Sequence, residues 1–260
     1  MKKKRHIYDY KIVSLVVPIA LLLLWQYAAD HGLVAITVMP APTKLYESLI
    51  KMIDKGTLQE NILVSIRRVV FGYCIGASLG ITLGVMTGLS KLTNRLLNFL
   101  LEILRPIPIM AWLPVIILWC GIGENTKVIA ICIGSFWPIF LNTMDGVRNI
   151  DKKYLEVSRI FMKSKSETVF KVILPDALPG IFTGLRIGVG SAWLSVVGAE
   201  MVAASAGLGF LISYSREMMQ PANMFVGVFA IGIIGLIINT LIRKLESKAL
   251  KWNVNTNTRK

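Results

Sequence analysis

The chain has 260 residues, 54% of them hydrophobic and only 17% charged, with a formal net charge of +14. A soluble domain carries about 25% charged residues, so the composition excludes an ordinary soluble fold and places the chain in lipid. The positive balance admits nucleic acid, an anionic solute or anionic lipid as partners, and its placement along the chain decides among them.

A bilayer core of about 30 Å asks for about 20 mostly apolar residues per helix. The first apolar run, 12–29, follows the basic N-terminus 1–11 with Lys2, Lys3, Lys4 and Arg5. It exceeds the roughly 7–15 apolar residues of a signal peptide, so it reads as a retained first span with its basic flank in the cytoplasm. The extracytoplasmic segment 30–63 follows. Within it Pro40 and Pro42 precede an amphipathic stretch, 43–54, with Leu45, Leu49, Ile50 and Ile53 at helical spacing and Thr43 placed to cap it.

Five further apolar runs occupy 64–86, 96–118, 128–144, 184–204 and 225–242. The expected fold is therefore an all-α integral membrane protein with six transmembrane helices. Its core lies at 64–242, includes a long cytoplasmic loop at 145–183, and is followed by a basic cytoplasmic tail, 243–260. Six spans put both termini on one side, and the charges agree. Lys91, Arg95, Arg148, Lys152, Lys153, Arg159, Lys163, Lys165 and Lys171 fall with the termini, whereas Lys44, Lys51, Lys55, Arg67, Arg68, Lys127 and Arg216 fall opposite. Counting the basic termini, the split is about three to one, as the positive-inside rule requires. It explains the net charge without nucleic acid.

In the second span Gly72, Gly76, Gly80, Gly84 and Gly88 recur every four residues, and Gly184 and Gly188 repeat the spacing in the fifth. Glycine at this interval opens a ridge for a neighbouring backbone, either as fixed packing or as contacts that slide in a conformational cycle. The third span contains Arg105-Pro106-Ile107-Pro108. Two prolines so close break a helix or begin one, and such a break either borders a water-filled path or eases packing.

The loop 145–183 reads as two short helices, the first with Leu155, Ser158, Ile160 and Phe161 among lysines, the second ending at Leu174-Pro175. Apolar knobs outside the membrane call for a soluble partner with a groove. The order Glu156-Val157-Ser158, then Met162, then Leu174-Pro175 resembles the "EAA" loop of ABC importer permeases. There Glu-Ala-Ala is followed by glycine and, later, Leu-Pro. The resemblance continues in Met39-Pro-Ala-Pro42, Ala111-Trp-Leu-Pro114, Leu174-Pro-Asp-Ala-Leu-Pro-Gly180 and Ala199-Glu-Met201, and is similar to the taurine, aliphatic sulfonate and nitrate branch.

The resemblance implies an ATPase-coupling segment at Glu156, Val157, Ser158, Phe161, Met162, Leu174 and Pro175. It implies as partners a cytoplasmic ATPase dimer, a second copy of the chain, an extracytoplasmic substrate-binding protein and membrane lipid, in the bacterial inner membrane. Val157-Ser158 replaces Ala-Ala with small residues. Met162 stands where the family has glycine, so either the turn is redrawn, if it needs a positive φ, or Met162 adds a knob against the ATPase.

Glu200 lies about 24 Å along the fifth span from Gly184 at 1.5 Å per residue, near enough to the far surface to reach water. It reads as a structural or gating residue or as a substrate contact, and an anionic substrate would require Arg186 or another cation to compensate it. Trp112, Ser191, Trp193 and Ser195 are further candidates for the pathway or gate. Paired charges inside the spans, which an ion-driven carrier would show, are not evident from the sequence.

No Gly-x-x-x-x-Gly-Lys-Ser/Thr loop occurs, so the chain is expected to bind no cofactor, with ATP and magnesium on the ATPase partner. His-Glu-x-x-His is absent, and the one Gly-x-Ser-x-Gly match, Gly76-Ala77-Ser78-Leu79-Gly80, falls inside the apolar second span rather than at the strand-to-helix turn that motif needs, which argues against a membrane enzyme. Cys74, Cys120, Cys132, His6 and His31 have no metal-ligand or disulfide spacing.

Overall fold

A computed structural model describes residues 3–251, with side chains from Val16 onward except at positions 91, 97, 98, 100, 102 and 152. The basic side chains of the N-terminus, Lys91 and Lys152 therefore lie outside the described residues, as do Arg259 and Lys260. The described chain is helical, without strands: α1 (Lys3–Asp30), α2 (Pro42–Asp54), α3 (Thr57–Leu89), α4 (Lys91–Leu104), α5 (Ile109–Cys120), α6 (Glu124–Arg148), α7 (Lys152–Ile160), α8 (Lys165–Thr168), α9 (Leu174–Ala203), α10 (Leu208–Glu217) and α11 (Pro221–Ala249).

Four described helical stretches are long and apolar enough to cross a membrane: Thr57–Leu89, Glu124–Arg148, Lys165–Ala203 and Pro221–Ala249. They correspond to the second, fourth, fifth and sixth expected spans. Val16–Asp30 is apolar but shorter, as is Ile109–Cys120. The third expected span, 96–118, is not one helix. Arg105–Pro108 divides it into α4, which packs on α3, and α5, which packs on α6 and α9. At 12 residues, α5 reaches about 18 Å, short of the bilayer core.

The core is built on α6, which lies between α3 and α9. Its residues Ala130, Ile131, Ser135, Ile139, Phe140 and Thr143 are fully buried. The glycine ridge explains the closeness. A Cβ on Gly72 would stand 2.6 Å from the Ile131 Cβ, and one on Gly84 would stand 2.8 Å from both the Phe140 carbonyl and the Thr143 Cβ. Gly184 and Gly188 do the same from α9, against Ile139 and its neighbours. On the other side α10, α11 and α2 close over Trp193, Val196 and Leu208.

Two local expectations change. Thr43 does not cap α2: the helix begins at Pro42, whose fixed φ and missing N–H suit the first position, and the freed Thr43 N–H donates to Gln26 Oε1 of α1 at 3.3 Å. Pro175 does not end a helix either. A π-helical turn, Val169–Ile173, widens the backbone so that the Leu174 N–H bonds to the Val169 carbonyl. Pro175 then sits in the first turn of α9, where a missing N–H costs little. The second loop helix thus runs straight into the fifth span.

Candidate functional site

At one end of the α3/α6/α9 core the helices carry charge instead of glycine. Asn61, Ser65 and Arg68 are spaced four and three apart on α3, hence on one face, and continue the line of the glycine ridge. Arg68 is 5% exposed. Its Nη1 donates to Glu200 Oε1 at 2.8 Å and to the Ala206 carbonyl at 2.6 Å, and its Nε and Nη2 donate to the two oxygens of Glu124 at 2.7 and 2.5 Å. Lys127, one turn along α6, donates to Glu124 Oε1 at 3.0 Å. Two cations and two carboxylates thus form a neutral cluster joining α3, α6 and α9.

The same groups hold the turn that follows α9. Gly207 N donates to Asn61 Oδ1 at 2.7 Å, Leu208 N to Ser65 Oγ at 2.9 Å, and Gly209 N to Glu200 Oε2 at 3.0 Å. The Ser65 hydroxyl in turn donates to the Glu200 carboxylate at 2.8 Å. Backbone N–H groups at the start of α10, which have no partner within the helix, are therefore satisfied by side chains from α3 and α9. Gly207 has φ of +116°, and a Cβ there would lie 2.3 Å from the Glu200 carboxyl group. Only glycine permits this approach.

At the other end of the core, α7 stands outside the bundle. Asp151 Oδ1 caps it by accepting from Lys153 N at 2.9 Å. It ends in a Schellman turn: Met162 N donates to the Arg159 carbonyl at 2.9 Å and Lys163 N to the Ser158 carbonyl at 3.1 Å. Met162 occupies the left-handed position, with φ of +48°. Its side chain is 93% exposed, and Tyr154, Val157, Ile160, Phe161 and Phe170 are exposed too, whereas Ser158 is buried. A groove of about 340 Å³ runs between α7 and the π-helical turn, lined by Val157, Phe161, Val172 and Pro175 among others.

The sequence pattern of the family described as "Binding-protein-dependent transport system inner membrane component" matches residues 80–247. The chain belongs to this family. A Bacillus subtilis (strain 168) protein named for aliphatic sulfonate transport, SsuC, is 36% identical over 92% of this chain and 87% of its own. The nitrate import permease protein NrtB of Synechocystis (strain ATCC 27184 / PCC 6803 / Kazusa) is 35% identical over 93% and 90%, and the taurine transport system permease protein TauC of Escherichia coli (strain K12) 30% over 90% and 86%. The fold matches that of an amino acid ABC transporter crystal structure with a TM-score of 0.56 at 18% identity, over 76% of this chain and 95% of that one. The chain is thus an ABC importer permease subunit of the sulfonate, taurine and nitrate branch.

Within the permease, the residues singled out from the sequence separate into groups. Glu156, Val157, Phe161 and Met162 are exposed together on and after α7, with Leu174 and Pro175 half-buried behind them. Glu200 does not reach water: it is 1% exposed, because the 204–207 turn and α10 fold over it. Its countercharge is Arg68. Arg186 pairs instead with Glu246 of α11, at 3.0 Å. Trp193 is buried and donates to the Ile231 carbonyl of α11 at 3.2 Å, and Ser195 is buried against Gly134 of α6. Trp112 packs beside Leu113, Ile116 and Ala199, and Ser191 is half-buried, its carbonyl accepting from Ser195 Oγ.

Paired charge within the spans, not evident from the sequence, is present as Arg68 and Glu200. Asn61, Ser65, Arg68, Glu124, Lys127 and the Gly207 turn were missed. The available signal was the helical spacing of Asn61, Ser65 and Arg68 ahead of Gly72. It was obscured because Arg68 and Lys127, at the ends of apolar runs, read as solvent-facing charges of the far side.

Proposed function

We propose that two copies of this permease form a pathway through the inner membrane for a small anion such as a sulfonate, taurine or nitrate. A separate ATPase dimer, carrying ATP and magnesium, docks on the 156–175 segment of each copy, and an extracytoplasmic binding protein delivers the solute. The observation that carries the coupling reading is the exposed apolar end of α7 beside its groove, a surface that water alone would not favour. Closure of the ATPase pulls on this segment, and the unbroken backbone from Lys165 to Ala203 provides a continuous element along which the pull travels. Both termini are cytoplasmic, with α1 and the α4/α5 pair completing six membrane segments.

The test is co-purification. The intact permease captures an ATPase subunit, and Glu156→Lys loses it; an ATPase retained after the whole 156–175 segment is scrambled refutes the docking site. The substrate is tested on the partner binding protein, by titration with taurine, alkanesulfonates and nitrate. The sulfonate, taurine and nitrate names of its relatives support the anion. Binding of bicarbonate or a pyrimidine-type compound instead would keep the permease reading and replace the solute.

A further inference from the structure

Among the described residues only Met162 and Met219 are non-glycine residues with positive φ. For a side chain bearing Cβ this region is uncommon and costs on the order of 1–3 kcal/mol. At Met162 no side-chain contact among the described residues offsets the cost, since the side chain is 93% exposed. The Schellman turn fixes its direction: two backbone hydrogen bonds hold Met162 at the tip of α7, next to the exposed Ile160 and Phe161.

The surroundings are basic. Among the described residues Lys171 is paired with Glu167, at 2.9 Å, while Lys153, Arg159, Lys163 and Lys165 make no ion pair. Glu156 of α7 is the exposed exception, so the balance around Met162 is positive but not of one sign, whereas Met219, with the same turn geometry, stands beside one charge of each sign, Arg216 and Glu217.

We infer that Met162 is the specificity knob of the coupling segment, and that it selects an ATPase whose docking groove carries an apolar socket for a methionine, rimmed by carboxylates opposite Arg159, Lys163 and Lys165 and by a cation opposite Glu156. The inference rests on the coupling reading and deepens it. A flexible, polarisable thioether fills an irregular socket well, and the unpaired cations around it set the charge of the rim.

The experiment measures affinity of the purified permease in nanodiscs for the ATPase subunit that co-purifies with it. Met162→Gly releases the backbone strain and removes the knob. It is expected to raise the permease's own unfolding midpoint while weakening ATPase binding about ten- to a hundred-fold, the factor corresponding to one buried methionine side chain. Met162→Leu keeps the apolar bulk and stays within about threefold, by the tolerance of volume-conserving swaps. Met162→Glu abolishes binding, and wild-type binding weakens as salt is raised. Unchanged affinity for Met162→Gly, or salt-independent binding, overturns the inference while leaving docking intact if the scrambled segment still fails to bind. A wild-type permease that captures no ATPase overturns the coupling reading and this inference with it.

Discussion

Replacing Arg68 by alanine tests the charge cluster directly. Glu200, 1% exposed, would keep hydrogen bonds from Ser65 and Gly209 but lose the only countercharge in contact with it among the described residues. Removing one partner of a buried ion pair costs about 3–5 kcal/mol, so Arg68→Ala is expected at that level. Glu200→Gln is milder, because Arg68 retains two bonds to Glu124; the loss is chiefly one charge-assisted bond, about 1.5–3 kcal/mol. Glu124→Gln removes a carboxylate that is 62% exposed but leaves Lys127, 4% exposed, without its ion partner, so its loss should be comparable to that of Glu200→Gln, about 1.5–3 kcal/mol. Unfolding midpoints of the three variants in one detergent order them, at about 2–4 °C per kcal/mol for a chain of this size. The double variant Arg68→Met/Glu200→Gln should cost less than the sum of its singles, since no charge is left stranded. An Arg68→Ala loss within about 1 kcal/mol, or one no larger than that of either carboxylate variant, would refute the cluster as drawn.

Gly207→Ala combines an unfavourable φ with a clash on the Glu200 carboxyl group and should cost at least about 2 kcal/mol in the same unfolding assay. Gly84→Ala, against α6 backbone, should lower the midpoint, whereas Gly190→Ala, with nothing within 4 Å, should be neutral or raise it by up to about 1 kcal/mol through helix propensity. Equal effects at the two positions would contradict the packing of α3 on α6. Glu246→Ala frees the half-exposed Arg186 of α9 and should cost only about 1 kcal/mol, visible as faster proteolysis at the tail-side end of α11 before any global loss.

The helices were legible in the sequence where one signal dominated. The glycine ridge of α3 and the apolar runs of α6, α9 and α11 carry their own periodicity, and the loop from Glu156 to Pro175 was visible by its motif. What escaped depends on tertiary partners. Pro175 reads as a stop because a proline ordinarily breaks the ladder, yet a π-helical turn just before it restores continuity. The 96–118 run is apolar enough for one span, but Arg105–Pro108 divides it into pieces that find separate neighbours. The charge cluster draws on residues 61, 65, 68, 124, 127 and 200, and no local pattern links positions more than 130 residues apart.

The cluster also bears on how the proposed cycle moves. Separating α9 from α3 would break a buried pair, and sliding α3 along α6 would lift branched side chains over a ridge where even a Cβ does not fit. Both costs oppose internal rearrangement of α3, α6 and α9. Close-packed contacts of this kind resist continuous deformation, so a pull on α7 should turn the three helices as one body, with the glycine ridges acting as fixed packing rather than as sliding surfaces. Spin labels at Leu79 of α3 and Leu194 of α9, both exposed, should keep their mutual distance within one copy between nucleotide-free and ATP-bound transporter, while the corresponding distances between copies change. A shift within one copy approaching a helical turn, about 5.4 Å, would show that the ridges slide after all.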